Sequence, residues 1–208
     1  MSGDKILEQT VCVVLAGGRG QRLGGRDKAL IPFLEGCLLS RIQSRVTAPV
    51  AEVVLSANGD PGRFVGFGWR VLPDLRPGHL GPLAGIEAAL VDDGRREWVL
   101  SVSVDLPFLP FDWMKRLAEA SGDARQPVVA SSNGRLHPVV ALWPRALLPV
   151  IQDALDRNNC RLMDLLHQHP PRPVEFPLLP GGVDPFFNVN DPDSLREAEY
   201  WASRSLIG

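Results

Sequence analysis

Two hydrophobic patterns alternate along the chain. A continuous apolar run rich in valine covers residues 10–16, the mark of a strand buried on both faces, and the largely apolar segments 52–57 and 98–104 read as further strands. A shorter run at 70–73 delivers Asp74 into a loop. Elsewhere apolar positions recur at helical spacing, as at Leu38, Leu39, Ile42 and Val46 ahead of Pro49. Further helices are expected over 81–90, 112–120, 145–155 and 161–167. Pro82 falls in a first helical turn, where a missing N–H costs nothing. Residues 127–130 and 138–142 flank Asn133-Gly134 and predict a β-hairpin. Segment 169–182 is dense in proline and glycine and reads as irregular. Asp191-Pro192 then offers an N-cap and a first-turn proline for a last helix over 193–203.

Strands and helices in this order imply an α/β fold with a mostly parallel sheet and right-handed crossovers. In such sheets ligands bind beyond the carboxyl ends of the strands. Gly17, Asn58, Asp74 and Asp105 each fall at or just after such an end. A parallel sheet would gather them on one edge. The 208 residues suffice for one domain with a sizeable core.

Composition removes several function classes. The formal net charge of -2 argues against a protein that coats nucleic acid or an anionic membrane. No run approaches the ~18–20 apolar residues that span a bilayer, and residues 1–8 lack a signal-peptide pattern. A cytoplasmic protein is the expectation. Cys12, Cys37 and Cys160 form no C-x-x-C pair, so neither a disulfide framework nor a structural zinc site is expected. Trp69, Trp98, Trp113, Trp143 and Trp201 are scattered, and core packing is the default for each.

The first strand stops at once in Gly17-Gly18-Arg19-Gly20-Gln21-Arg22-Leu23-Gly24-Gly25-Arg26-Asp27-Lys28. Glycine allows backbone to approach a ligand closely, and successive backbone N–H groups can cradle an anion. With Arg19, Arg22, Arg26 and Lys28 nearby, the stretch reads as a polyphosphate cradle. A basic surface loop with no ligand fits the same residues. It is no Walker loop, because Lys28 precedes Ala29, and no clean dinucleotide fingerprint, because Leu23 stands at the third glycine position. Asp105, after a buried strand, has the chemistry to hold Mg²⁺ together with substrate phosphates; a turn-capping aspartate is the plain alternative. Asp74 fits a nucleotide contact or an Asx-turn. His137, ahead of Pro138, fits a substrate contact or a structural role, and His79, His167 and His169 read as solvated.

Leu15-Ala16-Gly17-Gly18, Arg22-Leu23-Gly24-Gly25 and Asp27-Lys28 together resemble the opening signature of nucleotidyltransferases with a glycosyltransferase-A-like, Rossmann-type fold. Gly81-Pro82-Leu83-Ala84-Gly85-Ile86, Asp105-Leu106-Pro107-Phe108, His137-Pro138 and Phe187-Asn188-Val189-Asn190-Asp191-Pro192 narrow the resemblance to the molybdenum cofactor guanylyltransferases. It runs from about residue 11 to about residue 202. The chain departs from that pattern at Cys37, where a basic residue is usual nearby, and at Asp191, where threonine is usual. The aspartate still serves as an N-cap.

The resemblance implies a Rossmann-like three-layer sandwich of the nucleotide-diphospho-sugar transferase type. Residues 1–208 would form a single nucleotidyltransferase domain, with a nucleotide-binding part over about 9–110 and a pterin side over about 111–208. It implies transfer of GMP from GTP to molybdopterin carrying molybdenum, with release of pyrophosphate and use of Mg²⁺. Leu15, Ala16, Gly17 and Gly18 would hold the nucleotide through backbone. Gly81, Pro82 and Leu83 would add further nucleotide contacts. Lys28 would contact the phosphates and, with Arg22, stabilise charge during transfer. Asn58 and Asp74 would contact the guanine nucleotide. Asp105 would bind both GTP and Mg²⁺, and His137, Asn188 and Asn190 would lie on the pterin side. A monomer that hands its product to cofactor-insertion or delivery proteins is expected. Two other readings stay open: a relative using CTP with molybdopterin or with a sugar phosphate, and a non-catalytic nucleotide-binding module.

Overall fold

The first apolar run forms a strand buried along its whole length in the computed structural model of the chain, which describes residues 3–17, 27–78, 80–92, 96–122 and 125–204. The N-terminal half comprises α1 (Gly3–Leu7), β1 (Thr10–Leu15), β2 (Pro32–Phe33), β3 (Gly36–Cys37), α2 (Leu38–Gln43), β4 (Glu52–Ser56), β5 (Arg70–Leu72), α3 (Pro82–Asp92) and β6 (Trp98–Ser103). The C-terminal half adds α4 (Trp113–Ser121), β7 (Val128–Ser132), β8 (Arg135–Pro144), α5 (Leu148–Asp156), α6 (Leu162–Gln168), β9 (Arg172–Glu175) and α7 (Pro192–Ser203).

The seven longer strands form one sheet in the order β5-β4-β1-β6-β8-β7-β9. The first four run parallel, β8 runs against both its neighbours, and β9 is parallel to β7. The fold is therefore α/β with a mostly parallel sheet flanked by helices, as the element order implies.

Period-two alternation sends neighbouring residues of each strand to opposite faces. Cys12, Val14, Leu55, Leu100 and Val102 pack on one face with Leu39 and Ile42 of α2 and Trp113, Met114 and Leu117 of α4. Val11, Val13, Val54 and Val99 pack on the other with Leu83, Ile86 and Leu90 of α3 and Ile151 and Leu155 of α5. Burial pushes the Cys12 thiol up to about 12, so it behaves as a small apolar residue. Trp113 and Trp143 are fully buried, and each satisfies its indole N–H, donating to Arg45 O at 3.0 Å and to Ser101 Oγ at 2.9 Å. Trp69, Trp98 and Trp201 are only partly buried.

Several elements differ from the sequence expectation, each for a physical reason. Segment 169–182 contains β9, an outer strand paired with β7 on one side; Pro173 fits there because an edge strand has N–H groups to spare. The turn signal at 58–61 opens a 3-10 helix over Pro61–Phe67, with Asp60 accepting from Gly62 N and Phe64 buried. The helix from Leu38 stops at Gln43, and the one expected from residue 145 begins as a 3-10 turn, Arg145–Leu147. α1 and the small β2–β3 hairpin are too short for a periodic signal. The Asn133-Gly134 turn forms as expected, with φ of 48° and 73°, the positive pair of a type I′ hairpin. Among the described residues no helix is long and apolar enough to cross a membrane.

Gly85 of α3 faces the sheet where β1 and β4 lie side by side. A Cβ there would fall 2.7 Å from Leu15 Cδ2 and closer still to Ser56 Oγ. The helix can approach both strand ends only without a side chain. We predict that Gly85→Val lowers the urea midpoint. Overpacking costs about 1–3 kcal/mol, against a helix-propensity gain below ~1 kcal/mol. An unchanged or raised midpoint would contradict this packing.

Candidate active site

The parallel strands end together, and their ladder continues one step past each end. Ala16 N donates to Ser56 O at 2.9 Å, Ala57 N to Leu72 O at 3.2 Å, and Val104 N to Leu15 O at 3.1 Å. The next residues out are Gly17, Asn58 and Asp105, with Asp74 following Pro73 after β5. The edge expected from the strand ends is therefore formed.

Asp105 is its centre. Only 7% of the residue is exposed. Its Oδ2 accepts a 2.6 Å hydrogen bond from Lys28 Nζ, short even for a charge-assisted contact. Lys28 opens a 3-10 turn whose N-cap, Asp27, accepts from Ala29 N at 3.1 Å. The same ammonium donates to Asn190 Oδ1 at 2.7 Å. Three residues far apart in sequence thus meet at one cation. Asp105 Oδ1 is buried and has no hydrogen-bond partner among the described residues. A buried oxygen of that kind is costly unless something pairs with it. It fits a hard cation that takes one protein carboxylate and completes its shell with phosphate oxygens and water. No group of three or more ligating side chains is present among the described residues.

A second pair lies farther along the edge. Asn58 Nδ2 donates to Asp74 Oδ2 at 2.8 Å, and Asp74 N donates to Asn58 Oδ1 at 3.0 Å. Two arginines brace this pair. Arg63 donates to Asn58 O at 2.6 Å and pairs with Asp27 at 2.8 Å, so one guanidinium ties the pair to the turn that carries Lys28. Arg76, two residues after Asp74, pairs at 2.9 Å with Glu87 of α3, whose side chain is 2% exposed, and also with Asp156 of α5. The loop that carries Asp74 is thereby clamped onto two helices.

His137 stands apart from both groups. Its Nε2 lies 2.7 Å from Ser132 Oγ, and Ser132 Oγ donates to Asp184 Oδ1 at 2.8 Å. A hydroxyl has one proton to give, so the network assigns His137 Nε2 as a donor to Ser132. Burial pushes the His137 imidazole down; Asp184 opposes that, Arg135 adds to it, and Glu175 opposes it.

Of the residues expected at the site, Lys28 touches both Asp105 and Asn190, and Asn58 and Asp74 touch each other. Leu15, Ala16 and Leu83 are buried, with Gly17, Gly81 and Asn188 exposed and Pro82 intermediate. Leu83 packs its side chain in the core. Gly18 and Arg22 lie outside the described residues. Sequence reading missed Arg63, Arg76, Glu87, Ser132 and Asp184. A lone Glu87 amid the apolar stretch of α3 was the one local signal, since glutamate is rarely buried unless paired.

A family model described as MobA-like NTP transferase domain matches residues 12–172. The chain is 44% identical over 201 residues to the molybdenum cofactor guanylyltransferase of Rhodopseudomonas palustris (strain BisB5), covering 94% of this chain and 95% of that protein. Its fold is similar, with a TM-score of 0.73 and 21% identity, to molybdopterin-guanine dinucleotide biosynthesis protein A from Archaeoglobus fulgidus, covering 94% of this chain and 99% of that one. It also resembles a Mycobacterium tuberculosis H37Rv protein solved in complex with manganese, with a TM-score of 0.69, 18% identity, and coverage of 92% and 98%.

The His137 environment predicts a pH effect. Its folded pKa lies below the ordinary histidine value of about 6.5, so the unfolded chain binds the proton first as pH falls. Stability is therefore lost from about 6.5 downward and levels off below the folded value. The stability gap between the wild type and His137→Gln should narrow on acidification from about pH 8 to about pH 5. A gap independent of pH in thermal melts would contradict the assignment.

Proposed function

The chain belongs to the MobA-like NTP transferase family, and on that footing we propose that it transfers GMP from GTP to the terminal phosphate of molybdopterin carrying molybdenum. The observation that carries this reading is the meeting of Lys28, Asp105 and Asn190 at the carboxyl edge of the sheet. There the strand ends meet the segment that resembles the pterin side.

An oxygen of the acceptor phosphate attacks the α-phosphorus of GTP. The new P–O bond forms as the bond to the β-phosphate bridging oxygen breaks, and pyrophosphate leaves. The attacking oxygen is already anionic, so no protein nucleophile or general base is required. Lys28, with Arg22, offsets charge on the phosphates, and Leu15, Ala16, Gly17 and Gly18 hold the nucleotide through backbone. The Asn58–Asp74 pair receives the guanine nucleotide, and the Gly81-Pro82-Leu83 turn adds backbone to its site. His137, Asn188 and Asn190 serve the pterin side. Asp105 is the residue that would hold Mg²⁺, which supplies positive charge to the phosphates when bound. Holding both substrates in line is the remaining contribution. The proposed setting is a cytoplasmic monomer that passes its product to insertion or delivery proteins.

Mass spectrometry of molybdopterin after incubation with enzyme, Mg²⁺ and each nucleotide tests this directly. GMP should appear on molybdopterin with GTP, and no nucleotide should be attached from CTP or dTTP. Attachment from CTP in place of GTP would overturn the base assignment, and no product with any nucleotide would overturn the activity.

Asp105→Asn, which keeps shape and removes charge, should slow pyrophosphate release by about a hundredfold or more. Lys28→Ala should do the same. That variant also leaves a buried carboxylate unpaired, at a cost of about 3–5 kcal/mol, so its turnover is read below its own melting point. Unchanged kinetics in either variant would remove that residue from the site.

A further inference from the structure

Resting on the pterin-side reading of Asn188 and Asn190, we infer that Ser132, His137 and Asp184 are positioning residues that aim the strap 184–191 at the acceptor site. The strap is pinned at both ends, by different parts of the fold. At its far end Val189 N donates to Asp105 O at 2.9 Å, and Asn190 Oδ1 accepts from Lys28 Nζ at 2.7 Å. At its near end Asp184 Oδ1 accepts from Ser132 Oγ and from Phe186 N, both at 2.8 Å. Asn188 lies between the two anchors.

The near anchor is built into the β7–β8 hairpin. Ser132 is the last residue of β7 and is wholly buried. His137, in β8, donates to the Ser132 hydroxyl, which turns the single hydroxyl proton toward Asp184. Phe186 stacks on the His137 ring at 4.6 Å between centroids and meets Phe176 edge-on at 5.2 Å. The mid-strap Phe187 packs on Trp201 of α7 at 5.1 Å. With its side chain turned into this knot, His137 influences the acceptor through the strap.

A serine, a histidine and an aspartate in contact also suggest a nucleophile, and the geometry rules that out here. Ser132 is closed off from solvent, and its proton is committed to the carboxylate rather than to the imidazole. The histidine bonds the serine through Nε2 while the aspartate bonds the serine directly, so no base is held ready to deprotonate Ser132.

Three variants test the device: Ser132→Ala, Asp184→Ala and Asp184→Asn. An asparagine still offers Oδ1 to both Ser132 Oγ and Phe186 N, so it should behave as wild type. The two alanine variants should raise the KM for molybdopterin about tenfold, the order expected for a lost buried hydrogen bond. The KM for GTP should stay within about twofold in both. Their Val189 amide should exchange about tenfold faster with solvent. Should Asp184→Ala fail to fold, Ser132→Ala carries the test.

The inference is overturned if neither alanine variant changes the acceptor KM. It is equally overturned if Asp184→Asn is as impaired as Asp184→Ala, because the charge itself would then be what the acceptor needs. A wild type that makes no guanylated molybdopterin would defeat the proposed activity instead. Exchange at Val189 would still decide whether Ser132 and Asp184 hold the strap.

Discussion

The contact between Lys28 Nζ and Asp105 Oδ2 is the constraint on which the site depends. A carboxylate that is 7% exposed cannot stand alone, and the ammonium offsets one of its oxygens at 2.6 Å. The other oxygen stays buried without a partner among the described residues. That asymmetry gives the carboxylate two duties, one toward a fixed cation of the chain and one toward whatever enters the edge. Lys28 extends the link to Asn190, so the same ammonium joins the parallel half of the sheet to the strap before α7.

The sheet makes this convergence possible. Four parallel strands bring β1, β4, β5 and β6 to a common edge, and α3 can sit close behind β1 and β4 because Gly85 has no side chain. The reversal at β8 then returns the chain beside β6 and sets up the β7–β8 hairpin. That hairpin presents Ser132 and His137 to Asp184. From there the strap crosses back to Asp105. Arg63, Arg76 and Glu87 brace the opposite side, so Asn58 and Asp74 hold a defined geometry rather than hanging in free loops.

The centre of the fold is legible in the sequence because buried parallel strands write themselves as apolar runs. Their ends predict the positions of Gly17, Asn58, Asp74 and Asp105 without any partner being known. The last helix is equally legible, since Asp191 and Ser194 form their capping box within a few residues. The β7–β8 hairpin is legible from Asn133-Gly134, but the insertion of β8 beside β6 and the edge strand β9 are not, because those pairings depend on partners distant in sequence. The same holds for the supporting residues. Ser132, Asp184 and Arg63 are ordinary polar residues in a linear reading. They gain meaning only through contacts such as Ser132 to Asp184, 52 residues apart. Residues 18–26, where Gly18 and Arg22 stand, lie outside the described structure, so that part of the basic loop rests on its sequence.

The central claim is that Asp105 joins a divalent cation to the nucleotide phosphates at the strand edge. Electron paramagnetic resonance of Mn²⁺, titrated into the chain with a non-hydrolysable GTP analogue present, measures it most directly. The account predicts bound Mn²⁺ in the wild type, strengthened by the analogue, and affinity reduced about tenfold or more in Asp105→Asn. Equal Mn²⁺ affinity in the two proteins would contradict it.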